Sequence, residues 1–337
     1  MENIFKNERK VAMIGSGSWA TSLVKLLLEN HPRVTWCVRS EQIADYIREN
    51  GHNPFYSREI SFDPSRLSLT ADVNEAVSCS DIVLFCVPSA FFPAEVAPLR
   101  SELLKNKFVI SAIKGMIPEE NITIAEYFNL RHNVPYDNIG IISGPSHAEE
   151  VAMERLSYLT LSSKHKRVAE QLCKMFDCHF IKTIPGTDIF GVEYAAVLKN
   201  IYAIAAGISH GLSYGDNFIS VLVTNSFNEM RTFLYAAHPD TARRTLKSAY
   251  LGDLLVTCYS QFSRNRSFGT MIGKGYSVNS AQIEMNMVAE GYYGTKCIHQ
   301  LNTKYNVPMP IVDTVYRILY GNRPAAREIT ELTKILQ

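Results

Sequence analysis

Lys199 stands in the middle of YAAVLKNIYAIAAG, residues 194–207, a stretch that reads as a helix apolar almost all the way round. No other lysine, arginine, aspartate or glutamate lies between Glu193 and Asp216. Apolar surroundings disfavour the charged ammonium, so a lysine placed there can exchange a proton near neutral pH. Helical spacing puts Lys199 on the face of Ala195, Ala196 and Ala203, where small side chains let other groups approach. The competing reading is a lysine that buries its stem and snorkels its charge to the surface.

Other stretches could bind an anion. VAMIGSGSWATSLVKLL reads as strand, tight glycine turn and helix start, with Gly15, Gly17 and Ala20 at the three positions of a dinucleotide fingerprint. Gly15 allows the turn, and Gly17 lets main-chain amides approach a pyrophosphate at the helix N-terminus. The second strand ends in Val38-Arg39-Ser40 and carries no acid there. Arg39 is either a contact for a 2′-phosphate or adenine, or a solvated surface arginine. In AIKGM, Lys114 follows a buried strand and offers an ammonium to an oxyanion or phosphate, unless it is an ordinary loop lysine. In SGPSHAEEVA, Gly144 and Ser146 lie at a strand-to-helix turn, offering helix-start amides and a hydroxyl that otherwise simply caps the helix. His147 and His210 are candidate acid/base groups with no supporting pattern. Met285 and Met287 read as core filling.

These residues need elements to position them. Apolar runs at 10–15, 33–38, 81–88, 107–113 and 139–144 predict buried parallel strands, with 158–163 and 179–184 extending the sheet. Helical stretches alternate with them, so residues 1–186 predict an α/β, Rossmann-like, doubly wound domain. Residues 187–337 predict an all-α domain, with helices over 188–210, 217–237, 241–251, 280–305 and 308–320. A length of 337 residues suits two domains, and a net charge of +1 gives no general attraction for nucleic acid. The seven cysteines form no C-x-x-C pair, which argues against a metal site and for a reducing compartment. No secretory signal and no clean bilayer-spanning run is apparent, so the chain reads as cytoplasmic.

The ordered blocks GSGSWATSL, AIKGM, SGPSHAEEVA, GVEYAAVLKNIYAIAAGISHGLSYGDN, YLGDLLVTCYSQFSRNRSFG and AEGYYGTK resemble the NAD(P)-dependent glycerol-3-phosphate dehydrogenases of the soluble bacterial type. The likeness runs from the glycine turn to about residue 325, and SRNRSFG and GDLLVTC are its most specific parts. It implies a site in the cleft between a Rossmann domain and a helical domain. It also implies interconversion of dihydroxyacetone phosphate and sn-glycerol 3-phosphate with NADH or NADPH, feeding glycerophospholipid synthesis, in a homodimer or similar assembly. Lys199 matches the family's proton-transfer lysine. Lys114, Gly144, Ser146, Lys199, Asp253, Ser263, Arg264 and Asn265 match its substrate contacts. Gly15, Gly17, Ser18, Trp19, Arg39, Lys114, Ala148, Arg264, Val288 and Glu290 match its cofactor contacts.

A carboxylate at Asp253 would orient Lys199 and limit the fall in its pKa, although an aspartate after Gly252 also suits an N-cap. Arg264 offers a planar fork matched to phosphate and Asn265 an amide donor, whereas SRNR alone reads as a solvated charged turn. The sequence departs from the family at Ala20 (commonly Gly), Val38 (commonly His or Arg) and Asn225-Ser226 (often Arg-Gly). Two other functions compete: a related hydroxyacid dehydrogenase acting on another substrate, and a silent cofactor-binding sensor. SRNRSFG argues against the first, and Lys114, Lys199, Asp253 and Arg264 together argue against the second.

Overall fold

A computed structural model describes residues 9–285 and 288–337. The chain folds as two compact units: residues up to Ile113 with Ile124–Ile189, and Lys114–Thr123 with Phe190–Gln337. The division is therefore not one cut near residue 186. A ten-residue stretch from the middle of the first half, Lys114–Thr123, packs with the second unit.

The first unit holds one sheet built from β1 (Val11–Ile14), β2 (Val34–Cys37), β3 (Leu67–Thr70), β4 (Ile82–Phe85), β5 (Phe108–Ser111), β6 (Ile139–Ser143), β7 (Ser157–Ser163) and β8 (Ile181–Gly186). Their spatial order is β3-β2-β1-β4-β5-β6-β7-β8. Neighbours are parallel except β6 and β7, which are antiparallel. Strand order reverses between β1 and β4, which places the ligand crevice at their carboxyl ends. Every residue of β1, β4, β5 and β6 is buried, as strands covered on both faces require. The helices of this unit are α1 (Ser18–Asn30), α2 (Glu41–Asn50), α3 (Val73–Ser78), α4 (Phe92–Val96), α5 (Ile124–His132), α6 (Ala148–Ala152) and α7 (Lys166–Phe176).

The second unit is helical: α8 (Ile189–Gly211), α9 (Asp216–Ala237), α10 (Asp253–Tyr259), α11 (Arg264–Gly273), α12 (Val278–Glu284), α13 (Glu290–Tyr305), α14 (Pro310–Leu319) and α15 (Ala325–Thr333). Two of the expected helices differ. Residues 241–247 form turns, not the start of a helix over 241–251, and only Ser248–Gly252 make a π-helical turn. Asp240 Oδ1 accepts the Ala242 N–H at 2.9 Å, and buried Arg243 reaches back to the Leu234 carbonyl at 2.9 Å, so local bonds bend this stretch around the end of α9. The expected helix 280–305 is divided into α12 and α13, because Met285 turns extended and the Gly291 N–H is taken by Asn265 Oδ1 at 2.8 Å. Met285 is half-buried, and Met287 lies outside the described residues.

By length and composition α8 is able to cross a bilayer, contrary to the sequence reading, but 94% of its most apolar window is buried inside the fold. Small residues let other helices close on it. A Cβ on Gly207 would lie 2.1 Å from the Arg266 carbonyl oxygen, and one on Gly269 would lie 2.2 Å from that of Ile204. Only hydrogen at these positions permits such contact, so α8 and α11 run side by side with their backbones touching.

Candidate active site

In the sheet unit, the chain leaves β1 through Gly15, whose φ of +124° is open to glycine and rarely to other residues. A Cβ there would also collide with the Cys86 carbonyl oxygen at 2.2 Å. The turn is held from beneath: Gly15 donates its N–H to Cys37 O at 3.0 Å, and Trp36 Nε1 donates to Gly15 O at 2.8 Å. Gly17 is the N-cap of α1 and makes no side-chain cap. Among the described residues, a Cβ added to it would meet nothing within 4 Å. This open space beside the start of α1, with no acid in the first turn of the helix, fits a dinucleotide pyrophosphate.

Ser18 is buried and Trp19 half-buried in the first turn of α1. Ser22 Oγ donates to Ala148 O at 3.1 Å and so ties α1 to the start of α6. Gly144 has φ +104°, and a Cβ on it would lie 2.9 Å from Tyr158 O. Ser146 Oγ donates to Gly144 O at 3.0 Å. It braces the turn and is not the cap, because His147 occupies the N-cap of α6. Arg39 is exposed after β2.

In the helical unit, Lys199 is 4% exposed, so its ammonium does not snorkel. Its Nζ is hydrogen-bonded to Asp253 Oδ1. Asp253 is 1% exposed and has helical backbone angles directly after the π turn, so it is not an N-cap. Its other oxygen, Oδ2, is buried and has no hydrogen-bond partner among the described residues. Burial is the main cause that pushes the Lys199 pKa down, to about 8; the Asp253 carboxylate opposes the fall and the Lys114 charge adds to it.

Lys114 reaches this cluster on the 114–123 stretch. Asn200 Nδ2 holds the Lys114 carbonyl at 2.9 Å, while Met116 and Ile117 are buried farther along. Asn200 lies about a hundred degrees round the helix from Lys199, and what it does is seat the backbone of Lys114. Ser263-Arg264-Asn265 is not a loop but the start of α11. Ser263 Oγ caps that helix by accepting the Arg266 N–H at 3.3 Å, a bond typically worth about 1 kcal/mol. Arg264 is half-buried at the first helical position. Asn265 Oδ1 is committed to Gly291 on α13, next to Glu290, leaving its amide hydrogens for other contacts. Val288 and Glu290 are half-buried.

The structure thus gathers Lys114, Lys199, Asp253 and Asn200 into one cluster, and links α11 to the start of α13. Gly15, Gly17, Ser18, Trp19, Gly144, Ser146 and Ala148 belong to the sheet unit, as does Arg39. Two contributors escape the sequence reading. One is the glycine contact of α8 with α11, signalled by the spacings 207/211 and 269/273. The other is Asn53, which is buried and bonded to Ser16 and Thr21 of the glycine turn.

A doubly wound sheet with a glycine turn opening α1, and a separate buried lysine–carboxylate pair, defines an NAD(P)-dependent oxidoreductase of the Rossmann class. Comparison narrows the class. The profile of the NAD-dependent glycerol-3-phosphate dehydrogenase N-terminus matches residues 10–169, and that of the C-terminus matches residues 188–330. The chain belongs to the NAD(P)-dependent glycerol-3-phosphate dehydrogenase family. It is 35% identical to glycerol-3-phosphate dehydrogenase [NAD(P)+] of Lacticaseibacillus paracasei, covering 96% of this chain and 94% of that one. Against the Bacillus subtilis enzyme of the same name the identity is 34%, with the same coverage. The crystal structure of glycerol-3-phosphate dehydrogenase from Coxiella burnetii superposes with a TM-score of 0.90 at 28% identity, covering 97% of this chain and 99% of that one.

Proposed function

We propose that this chain reduces dihydroxyacetone phosphate to sn-glycerol 3-phosphate, reversibly, with Lys199 as the proton-transfer group. The observation that carries the assignment is the buried Lys199–Asp253 pair, whose Asp253 Oδ2 has no partner among the described residues. A buried carboxylate oxygen without a donor is costly, and a substrate hydroxyl would satisfy it.

When bound, the nicotinamide supplies the hydride. The α1 turn, with Gly15, Gly17, Ser18 and Trp19, would hold the pyrophosphate; Arg39, Ala148, Val288 and Glu290 complete the proposed cofactor contacts. With a pKa near 8, Lys199 is mostly protonated at neutral pH and able to donate to the ketone oxygen as negative charge develops there. In the reverse direction the neutral amine takes the proton of the 2-hydroxyl. Asp253 orients the ammonium and keeps it from losing its proton too early. Lys114 adds positive charge that favours the oxyanion. Arg264 and the first amides of α11 would receive the phosphate, with Asn265 Nδ2 as a further donor and Ser263, Gly144 and Ser146 as outer contacts.

We place the protein in the cytoplasm as a homodimer, acting in glycerophospholipid synthesis. The test of the activity is the purified protein with dihydroxyacetone phosphate and either NADH or NADPH. Loss of nicotinamide absorbance with one or both is expected. Absence of turnover with both refutes the proposal.

A further inference from the structure

Asn53 is 1% exposed in the segment that follows α2. Its amide is fully engaged. Nδ2 donates to Ser16 O at 3.0 Å and to Thr21 Oγ1 at 3.0 Å. Oδ1 accepts from Phe55 N at 3.0 Å and Tyr56 N at 3.3 Å. Thr21 in turn donates its hydroxyl to Gly17 O at 2.9 Å. One buried side chain therefore grips the glycine turn at Ser16 and, through Thr21, at Gly17, and anchors the turn to the 53–56 backbone.

We infer that Asn53 is a positioning residue for the cofactor, which sets the direction of the amides at the start of α1. The Ser16–Gly17 peptide is planar and trans, so its carbonyl and N–H point opposite ways. Fixing the Ser16 carbonyl on Asn53 turns the Gly17 N–H away from Asn53. The turn needs this help because two glycines in three residues leave the chain loose, and the open space beside Gly17 supplies no packing to hold it. No other residue type meets the demand at this size. Two donors must face a carbonyl and a hydroxyl while one oxygen receives two main-chain amides. Aspartate keeps the shape but presents a carboxylate to the Ser16 carbonyl, and leucine loses all four bonds.

This inference rests on the reading of the Gly15–Gly17 turn as the dinucleotide site, and the experiment separates the two. NADH and NADPH are titrated onto the wild-type protein and onto Asn53→Asp, Thr21→Val and Thr21→Ser, by nicotinamide fluorescence. Thermal melts without cofactor report folding. Wild type that binds neither cofactor overturns the site reading and the inference together. With wild-type binding established, N53D is expected to weaken cofactor affinity about tenfold or more, while KM for dihydroxyacetone phosphate stays within about twofold. The threonine pair decides between hydrogen bonding and packing, and serves alone if N53D does not fold. T21V keeps the shape and loses the hydroxyl; T21S keeps the hydroxyl and loses a methyl. Weakened binding in T21V restored in T21S supports the inference. Unchanged cofactor affinity in folded N53D, or T21S weaker than T21V, overturns it.

Discussion

The glycine turn of the sheet unit is built from main-chain atoms, whereas the candidate site of the helical unit is built from buried and half-buried charges drawn from separate segments. In the turn, Gly15 and Gly17 contribute by lacking side chains, and the groups that hold them, Trp36, Asn53 and Thr21, are neutral hydrogen-bonding partners. In the helical unit, Lys114 comes from a loop, Lys199 from α8, Asp253 from the start of α10 and Arg264 from the start of α11. The first kind of site needs a backbone conformation; the second needs a low dielectric and accurate helix placement. Removing a charged side chain should therefore be severe in the second and mild in the first.

The sharpest way to break this contrast is Lys199→Ala. It should lower kcat by about 10³-fold, within the range for losing a general acid, while the cofactor dissociation constant measured by fluorescence stays near wild type. Near-normal turnover would falsify the proton-transfer role. Gly207→Val tests helix placement without touching a charge. Its side chain would meet the Arg266 carbonyl and force α11 off α8, displacing Arg264. The expected cost is about 10²-fold in kcat/KM for dihydroxyacetone phosphate, the size associated with misplacement by about an ångström. An unchanged kcat/KM in a folded variant would mean that this close contact is dispensable.

The pH profile sharpens the same side. In the proposed role Lys199 donates the proton, which predicts that the rate of reduction falls about tenfold per pH unit above the pKa near 8, and that oxidation rises with pH up to that value and then levels off. Removing the Asp253 charge takes away a cause that raises this pKa, so Asp253→Asn should move the inflection to lower pH. The sign for stability follows too. The folded pKa lies below the ordinary 10.5, so the unfolded chain binds more protons between about 8 and 10.5. Lys199 therefore adds stability as pH rises through that window, which urea melts across it would register. The smallest effect belongs to the sheet unit. Arg39 is exposed, and Arg39→Ala should raise KM for NADPH only about three- to tenfold and leave KM for NADH nearly unchanged. Equal effects on both cofactors would exclude a 2′-phosphate contact.

Most of the sheet is legible in the sequence because its strands are continuous apolar runs. β3 is not: LSLT is four residues long and two of them are only half-buried, so it lacks that signature. The Lys199 anomaly is visible because charge is rare in so apolar a helix, and family likeness points to Asp253. Asn53 is not visible. An asparagine two residues after Gly51 reads as a turn former, and its reach to Ser16 and Thr21 spans 37 and 32 residues. The start of α11 reads as a loop because SRNR carries charge, while its capping serine gives only a local signal.

The 114–123 stretch has a consequence for synthesis. During translation Lys114 is made 86 residues before the Asn200 that seats its carbonyl, and Ile117 is made 180 residues before Cys297, whose thiol approaches its carbonyl. The flanking β5 and α5 belong to the sheet unit and can be completed early, while the stretch between them waits for the helices that will receive it. The order of manufacture thus leaves the buried Met116 and Ile117 without their final packing until the chain is nearly finished. The helical half expressed from Phe190 onward would lack these ten residues altogether.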